Sequence, residues 1–531
     1  MAISLSRHAR TLSRRHFLGT TGLSLVALSH GASRFRENDR PAFPDTPFSL
    51  GMASGEPAPD SVVLWTRLAP RPLEPAGGMP ARKVPVRYEV ATDEGFRNVI
   101  TRNVAFAVPE LAHSVHVTLE GLQPGRDYFY RFRAGNEISP VGRTRTAPAV
   151  DADPSKVTFA FASCQNYLDG LYTAYRHLAE EDLDFVVHLG DYIYEIATRD
   201  RLRAHVPDHE VQSLDDYRIR YGQYKSEPEL QAAHAAFPWI MAIDDHDVEN
   251  NFAAEIPQVE PGREVDVEAF LRRRAAAFQA FYENLPLGLE SRPSNTGMRT
   301  YRSFTFGRLA ELNVLDTRQY RANQVCGPAD EEPTREVPCD DRLDPSRSML
   351  GAEQEAWLFD SVEASDARWN VLANQILMFQ RDAQLGDGEL FGMDHWDGYV
   401  AARDRLLGGM TERDVENLVV LTGDAHINYA ADLKEDFDDP ASRTIGTEFA
   451  GTSISSGGDG TDRSALDEVV LAENDHLHFA NSQRGYVRCT VRPEQWQADF
   501  RVVSQVTSPG APISTRAGYV VENGNPGILP A

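Results

Sequence analysis

Four short apolar runs in this 531-residue chain each stop at a group able to bind a cation. FAFAS ends at Cys164, and FVVHLG ends at Asp191 with Tyr194 three residues on. FPWIMAI runs into Asp244-Asp245-His246-Asp247, and LVVLTG ends at Asp424 with His426 two further. Taken singly, each has an ordinary explanation: a small buried thiol, a turn or helix cap, a solvated acidic loop, a satisfied histidine, a packed ring. Together they form a cluster of negative charge that mutual repulsion disfavours unless cations neutralise it. The expectation is a site for two or more metal ions.

Strands must carry these residues to one place. From about residue 155, apolar strands alternate with helical segments, as in VTFAFAS, LYTAYRHLAEE and LDFVVHLGD, the pattern of an α/β layered domain whose ligands bind beyond the carboxyl ends of the strands. VEAFLRRRAAAFQAFYENL spaces Phe270, Ala277, Phe278 and Phe281 or Tyr282 on one helical face and arginines on the other, as a core-packing helix would. Residues 45–148 read instead as all-β, with VVLWTR, VPVRYEV, HSVHVTL and DYFYRFRAG separated by Pro and Gly turns. A small sandwich closes them, and VTLEGLQPGRDYFYRFRAG is similar to the fibronectin type III pattern. The catalytic layers are expected over 155–515 and an irregular tail over 516–531, where no helical period shows.

The formal charge is −26, with only four lysines. That argues against a nucleic-acid-binding surface or an anionic membrane as partner, since both require clustered cations. Residues 1–32 carry four arginines and no acid before an apolar run too short to span a bilayer, so they read as a cleavable signal with Ala27-Leu28-Ser29 as one candidate site. Arg14-Arg15 in SRRHFLG resembles a twin-arginine export signal, which implies a partner translocation machinery and a periplasmic or secreted protein with no stable membrane span. In an oxidising compartment Cys326 and Cys339, bracketing a polar segment, are most simply a disulfide, with two unpaired thiols as the alternative. Cys489 alternates with apolar residues like a buried strand position.

The order of the ligands resembles the metallophosphoesterases, which place D-x-H, G-D-x-x-D, G-N-H-D/E and G-H-x-H after successive strands. Here the set is S-C at 163–164, G-D-Y-I-Y at 190–194, D-D-H-D at 244–247 and G-D-A-H at 423–426. A tyrosine at the position of Tyr194 is similar to the purple acid phosphatase branch, and the full set resembles PhoD-type alkaline phosphatases. FSLGMASGEPAPDSVVLWTRLAP, LDTRQY, HWDGYVAAR, EFAGTSISSGG and RGYVRCTV extend the resemblance over nearly the whole chain.

The resemblance implies a four-layer α/β sandwich of two mixed sheets flanked by helices, preceded by the small β-sandwich. It implies Fe(III) held by Cys164, Tyr194, Asp191 and His426, with Asp191 bridging to calcium, one or two ions, on Asp245 and Asp424. Thiolate and phenolate suit a trivalent ion, and carboxylates suit calcium. Asn250, Asn251 and Asp247 are candidates for further metal ligands or for the residues that back the ligands. Turnover is expected as in-line attack of a metal-bound hydroxide on phosphorus, with His246 orienting substrate or protonating the leaving group. Asn166 is a candidate donor to a phosphate oxygen, and Arg403 a candidate phosphate contact or a structural residue. The expected protein is an exported, monomeric alkaline phosphatase for small phosphate esters, monoesters and diesters. A dedicated phosphodiesterase or phospholipase D-like enzyme is the alternative, and a cell-surface binding protein the more distant one.

Overall fold

The computed structural model describes residue 43 and residues 45–198, 201–258, 265–294, 297–326 and 335–531. The export signal expected over residues 1–32 lies outside the described residues. Among those described, no helix is long and apolar enough to cross a membrane.

Two sheets face each other. The larger has ten strands, in the order Asn525–Pro530, Ile513–Glu522, Gln495–Val503, Gly485–Val491, Val157–Ala162, Phe185–His188, Pro238–Met241, Met52–Gly55, Ser61–Arg67 and Ser114–Glu120. The smaller has seven, in the order Arg302–Phe306, Ala310–Val314, Trp369–Ala373, Leu418–Thr422, Thr444–Ala450, Asn428–Lys434 and Leu477–Asn481. Because side chains alternate along a strand, each central strand feeds two cores. Phe159, Phe161, Phe185, Val187 and Ile240 pack between the sheets against Val371, Val419, Leu421 and Phe449. Ala160, Ala162, Val186, Trp239 and Met241 pack outward under helices, and Leu372, Leu418 and Val420 do so on the far side. The result is the four-layer α/β sandwich with mixed sheets.

The amino-terminal β-sandwich shares a sheet with these layers. Met52–Gly55 pairs in parallel with Pro238–Met241, Ser54 opposite Pro238 and Gly55 opposite Trp239. Its other sheet holds Val84–Ala91, Val99–Ala107, Asp127–Ala134, Glu137–Ile138 and Gly142–Arg145, and Val62, Leu64, Val86, Val117, Tyr130 and Phe132 fill the space between.

Two expectations need correcting. The carboxyl-terminal segment is not irregular: Ile513–Glu522 and Asn525–Pro530 form a hairpin at the edge of the ten-stranded sheet, turning at Asn523-Gly524. Val521 and Ile528 from it are buried between the sheets, so a period of two, not 3.6, was the relevant signal. The helix Val267–Asn284 buries Phe270, Ala277, Phe278, Phe281 and Tyr282 as expected, but Arg273 is also buried. Its guanidinium pairs with the half-exposed Glu210 at 2.7 Å and the buried Glu249 at 2.9 Å; two carboxylates outweigh the arginine's preference for water.

Candidate metal centre

The parallel register aligns the strand ends. Phe185 lies opposite Phe159, and His188 lies opposite both Ala162 and Met241, so Cys164, Asp191 and Asp244 leave the sheet at one edge. Ser163 forms an isolated parallel bridge with Ser453, in the segment that follows the strand Thr444–Ala450 of the other sheet, and the amide of Ile454 donates to the Ser163 carbonyl at 3.0 Å. That junction places Cys164 beside the loop carrying Asp424 and His426. Cys164, Asp191, Asp424 and His426 all have positive φ, between 55° and 59°. Left-handed backbone at four non-glycine residues is costly and is held only where the surroundings impose it. Glycines before two of them permit the close approach: a Cβ on Gly190 would sit 2.3 Å from the Asp244 Cβ, and one on Gly423 2.6 Å from the Ser163 Oγ.

Three overlapping donor groups result, each with ligand atoms within 4.8 Å of one another: Cys164, Asp191 and His426; Asp191, Asp245 and His246; Asp244, Asp245 and Asp424. Asp191 joins the first to the second, and Asp245 the second to the third. The Tyr194 hydroxyl lies 2.8 Å from Asp191 Oδ2 and 3.1 Å from His426 Nε2, and Ser456 Oγ donates to it at 2.8 Å. Burial, reinforced by Asp191, pushes the Cys164 thiol and the Tyr194 phenol well above their usual pKa values. Burial also raises Asp191 and Asp244. Burial, then Arg484, lowers His426 to about 3, which leaves a neutral imidazole able to ligate. Asp244 Oδ2 and Asn250 Oδ1 are buried without a hydrogen-bond partner. Crowded donors, raised acid pKa values and orphaned oxygens all fit cations: a mixed S, N and phenol-oxygen set on one side and an oxygen set on the other.

His246 stacks on Tyr194, ring centroids 4.1 Å apart, and its Nδ1 lies 2.7 Å from Glu195 Oε2. Burial opposes charge on this ring, but Glu195, Asp191 and Asp245 outweigh it and hold its pKa well above the ordinary value. The other oxygen of Glu195 accepts the Asn250 amide at 2.8 Å. The Asn251 amide donates to Asp245 Oδ2 at 2.7 Å.

The family model of the PhoD-like phosphatases matches residues 159–500, and that of their N-terminal domain matches residues 33–148. The chain belongs to the PhoD-like phosphatase family. Alkaline phosphatase D of Bacillus subtilis (strain 168) is 49% identical over 529 residues, covering 98% of this chain and 89% of that one. A solved structure described as PhoD superposes with a TM-score of 0.89 at 50% identity, over 92% of this chain and 93% of the other. A purple acid phosphatase from yellow lupin (Lupinus luteus) seeds shares the fold at a TM-score of 0.52 and 11% identity, over 89% and 74%. The chain is thus a hydrolase of phosphoric esters.

In this PhoD-like phosphatase a cavity of about 180 Å³ opens over the donors, lined among others by Asp191, Asp245, His246, Asn251, Asp424 and His426. Three candidates from the sequence do not line this cavity. Asn166 is absent from the cavity lining, and its Oδ1 accepts the Leu168 amide at 3.0 Å within its own turn. Arg403 is also absent; it is buried against Asp397 at 2.6 Å and the Met378 carbonyl at 3.3 Å, because Asp397 needs a countercharge there. Asp247 turns its oxygens to the amides of Asp191, Tyr192, Ile193 and Asp244 at 3.1 to 3.3 Å, clamping two ligand loops together. Cys326 and Cys339 form a disulfide with Cα atoms 5.3 Å apart.

Sequence reasoning missed Arg318, which contacts Asp244 and Asp394 at 2.5 Å, Asp424 at 2.9 Å and Asp245 at 3.6 Å. It follows the strand Ala310–Val314, so the strand-end rule that found the ligands also points to it. Burial opposes ionisation of Asp394, but Arg318 and Arg321 hold its pKa far below the usual range. His395, 3.0 Å from Asp424 Oδ2, opens the HWDGYVAAR block but follows no long strand, so the strand-end rule does not point to it.

Proposed function

We propose that this PhoD-like phosphatase is an exported, metal-dependent alkaline phosphatase acting on phosphate monoesters and, through the same arrangement, diesters. The observation that supports this best is the chain of three donor groups shared through Asp191 and Asp245. Cys164, Tyr194, Asp191 and His426 would hold Fe(III); Asp245 and Asp424, with Asp244 and the Asn250 side-chain oxygen, would hold calcium. Bound there, the ions supply Lewis-acid charge that polarises phosphorus and acidifies water. The chain's own residues do the rest. Glu195 fixes the His246 ring through Nδ1, and Nε2 carries the proton that departs with the alcohol. Arg318 keeps Asp244, Asp245 and Asp424 in position. A His246 pKa held high by Glu195 keeps that proton available in alkaline solution.

The test is turnover of p-nitrophenyl phosphate and of its bis ester before and after chelation. The expected result is hydrolysis of both, lost on chelation and restored by iron with calcium. Strong preference for the bis ester would replace the monoesterase reading by that of a dedicated phosphodiesterase.

A further inference from the structure

One buried cation faces the cavity without a carboxylate. Arg381 is 4% exposed and lines the cavity together with Gly392, Ala425, Ile427 and Leu466. Its Nη1 donates to the Tyr429 hydroxyl at 3.4 Å, its backbone amide donates to Asp397 Oδ2 at 3.0 Å, and its Nε is buried with no hydrogen-bond partner. Among the described residues no carboxylate lies within ion-pair distance of its guanidinium. The nearby arginines differ: Arg318 and Arg321 share Asp394, and Arg403 takes Asp397.

Arg67, Arg220 and Arg484 are also buried without a carboxylate, but backbone carbonyls take their guanidinium groups; Arg381, at the cavity, has only the Tyr429 hydroxyl. A buried charge without a countercharge is costly, and it is tolerated where the countercharge arrives with a ligand. The scissile phosphoryl group already has the metal donors, so the lone guanidinium is left for another part of the substrate. Ile427 and Leu466 beside it offer apolar surface to an organic stem.

We infer that Arg381, with Ile427 and Leu466, forms a subsite for the alcohol arm of the ester, and that this arm carries an anionic group paired with the guanidinium. The inference rests on the phosphatase reading above. Arg381 is then a specificity residue, since its charge-assisted bonds are made with the arm and not with the phosphorus undergoing substitution.

The metal-loaded enzyme and its variants Arg381→Met, Arg381→Lys and Leu466→Glu are to be compared on phenyl phosphate and on 4-(2-carboxyethyl)phenyl phosphate, whose leaving phenols are nearly equal in acidity. The wild type is expected to favour the carboxylated ester. Arg381→Met should lower kcat/KM for that ester by about tenfold or more and for phenyl phosphate by no more than about threefold. Arg381→Lys should restore part of the selectivity. Leu466→Glu, on a less buried position, should lower the same ratio by repulsion, and it carries the test if Arg381→Met does not fold. Equal loss on both esters would overturn the subsite and place Arg381 on the transferred phosphoryl group. Unchanged selectivity in Arg381→Met and Leu466→Glu would also overturn it. Absence of turnover of either ester by the wild type would overturn the phosphatase reading itself.

Discussion

Cys164 is buried, and burial raises its pKa, so the thiolate exists only if a cation stabilises it. Cys164→Ala is therefore expected to remove iron from the purified protein while leaving the fold intact, as read by metal analysis and thermal melting. Glu195 holds His246 through a 2.7 Å bond and the Asn250 amide through its other oxygen. Glu195→Gln keeps the geometry of the bond to His246 but removes the charge that raises the His246 pKa. It should lower kcat by about ten- to a hundredfold and move the alkaline limb of the pH profile to lower pH. An unmoved limb would show that another group limits activity at high pH.

At the scale of elements, the ligands depend on strand ends that approach more closely than side chains ordinarily allow. Gly190 has φ 113° and no room for a Cβ beside Asp244. Gly190→Ala is expected to cost about 3 kcal/mol and to lower metal occupancy, measured by chemical denaturation and elemental analysis. The strands before Cys164, Asp191, Asp244 and Asp424 were legible in the sequence because each is a compact apolar run with a polar stop. What escaped was whatever depends on tertiary pairing. Glu195 sits in the same G-D-Y-I-Y-E stretch as two ligands, but its role appears only when His246 packs on Tyr194. For Arg403 the sequence left a phosphate contact and a structural role open, and the second is the one observed, because Asp397 six residues earlier claims it. The terminal hairpin carries an Asn-Gly turn, a strong hairpin signal, and was hidden by Gly and Pro residues that suggest irregular chain.

At the scale of the molecule, the β-sandwich and the catalytic layers share the ten-stranded hydrogen-bonded sheet. Trp65 Nε1 donates to the Glu283 carbonyl at 3.0 Å, and His116 stacks on Tyr282 with centroids 4.4 Å apart. The strand Pro238–Met241, which leads to Asp244 and Asp245, would become an open edge without Met52–Gly55. A chain beginning at residue 151 should aggregate or lose its metals; a stable, active product would contradict this. Stability should also depend on metal and pH together. Asp191 and Asp244 have folded pKa values raised by burial in the metal-free protein. Their contribution is thus present below the usual aspartate value of roughly 3.9 and is lost as pH rises toward the higher folded values. Chelated wild type should therefore lose melting temperature relative to chelated Asp191→Asn as pH is raised from acidic to neutral, and calcium with iron should reverse that loss in the wild type.

The central claim is that a mixed thiolate, phenolate and carboxylate site holds two kinds of metal ion. Elemental analysis of the purified wild type beside Cys164→Ala tests it most directly. The account predicts iron together with calcium in the wild type and loss of iron in the variant. Zinc alone, or an iron-free protein that hydrolyses phosphate esters at full rate, would contradict it.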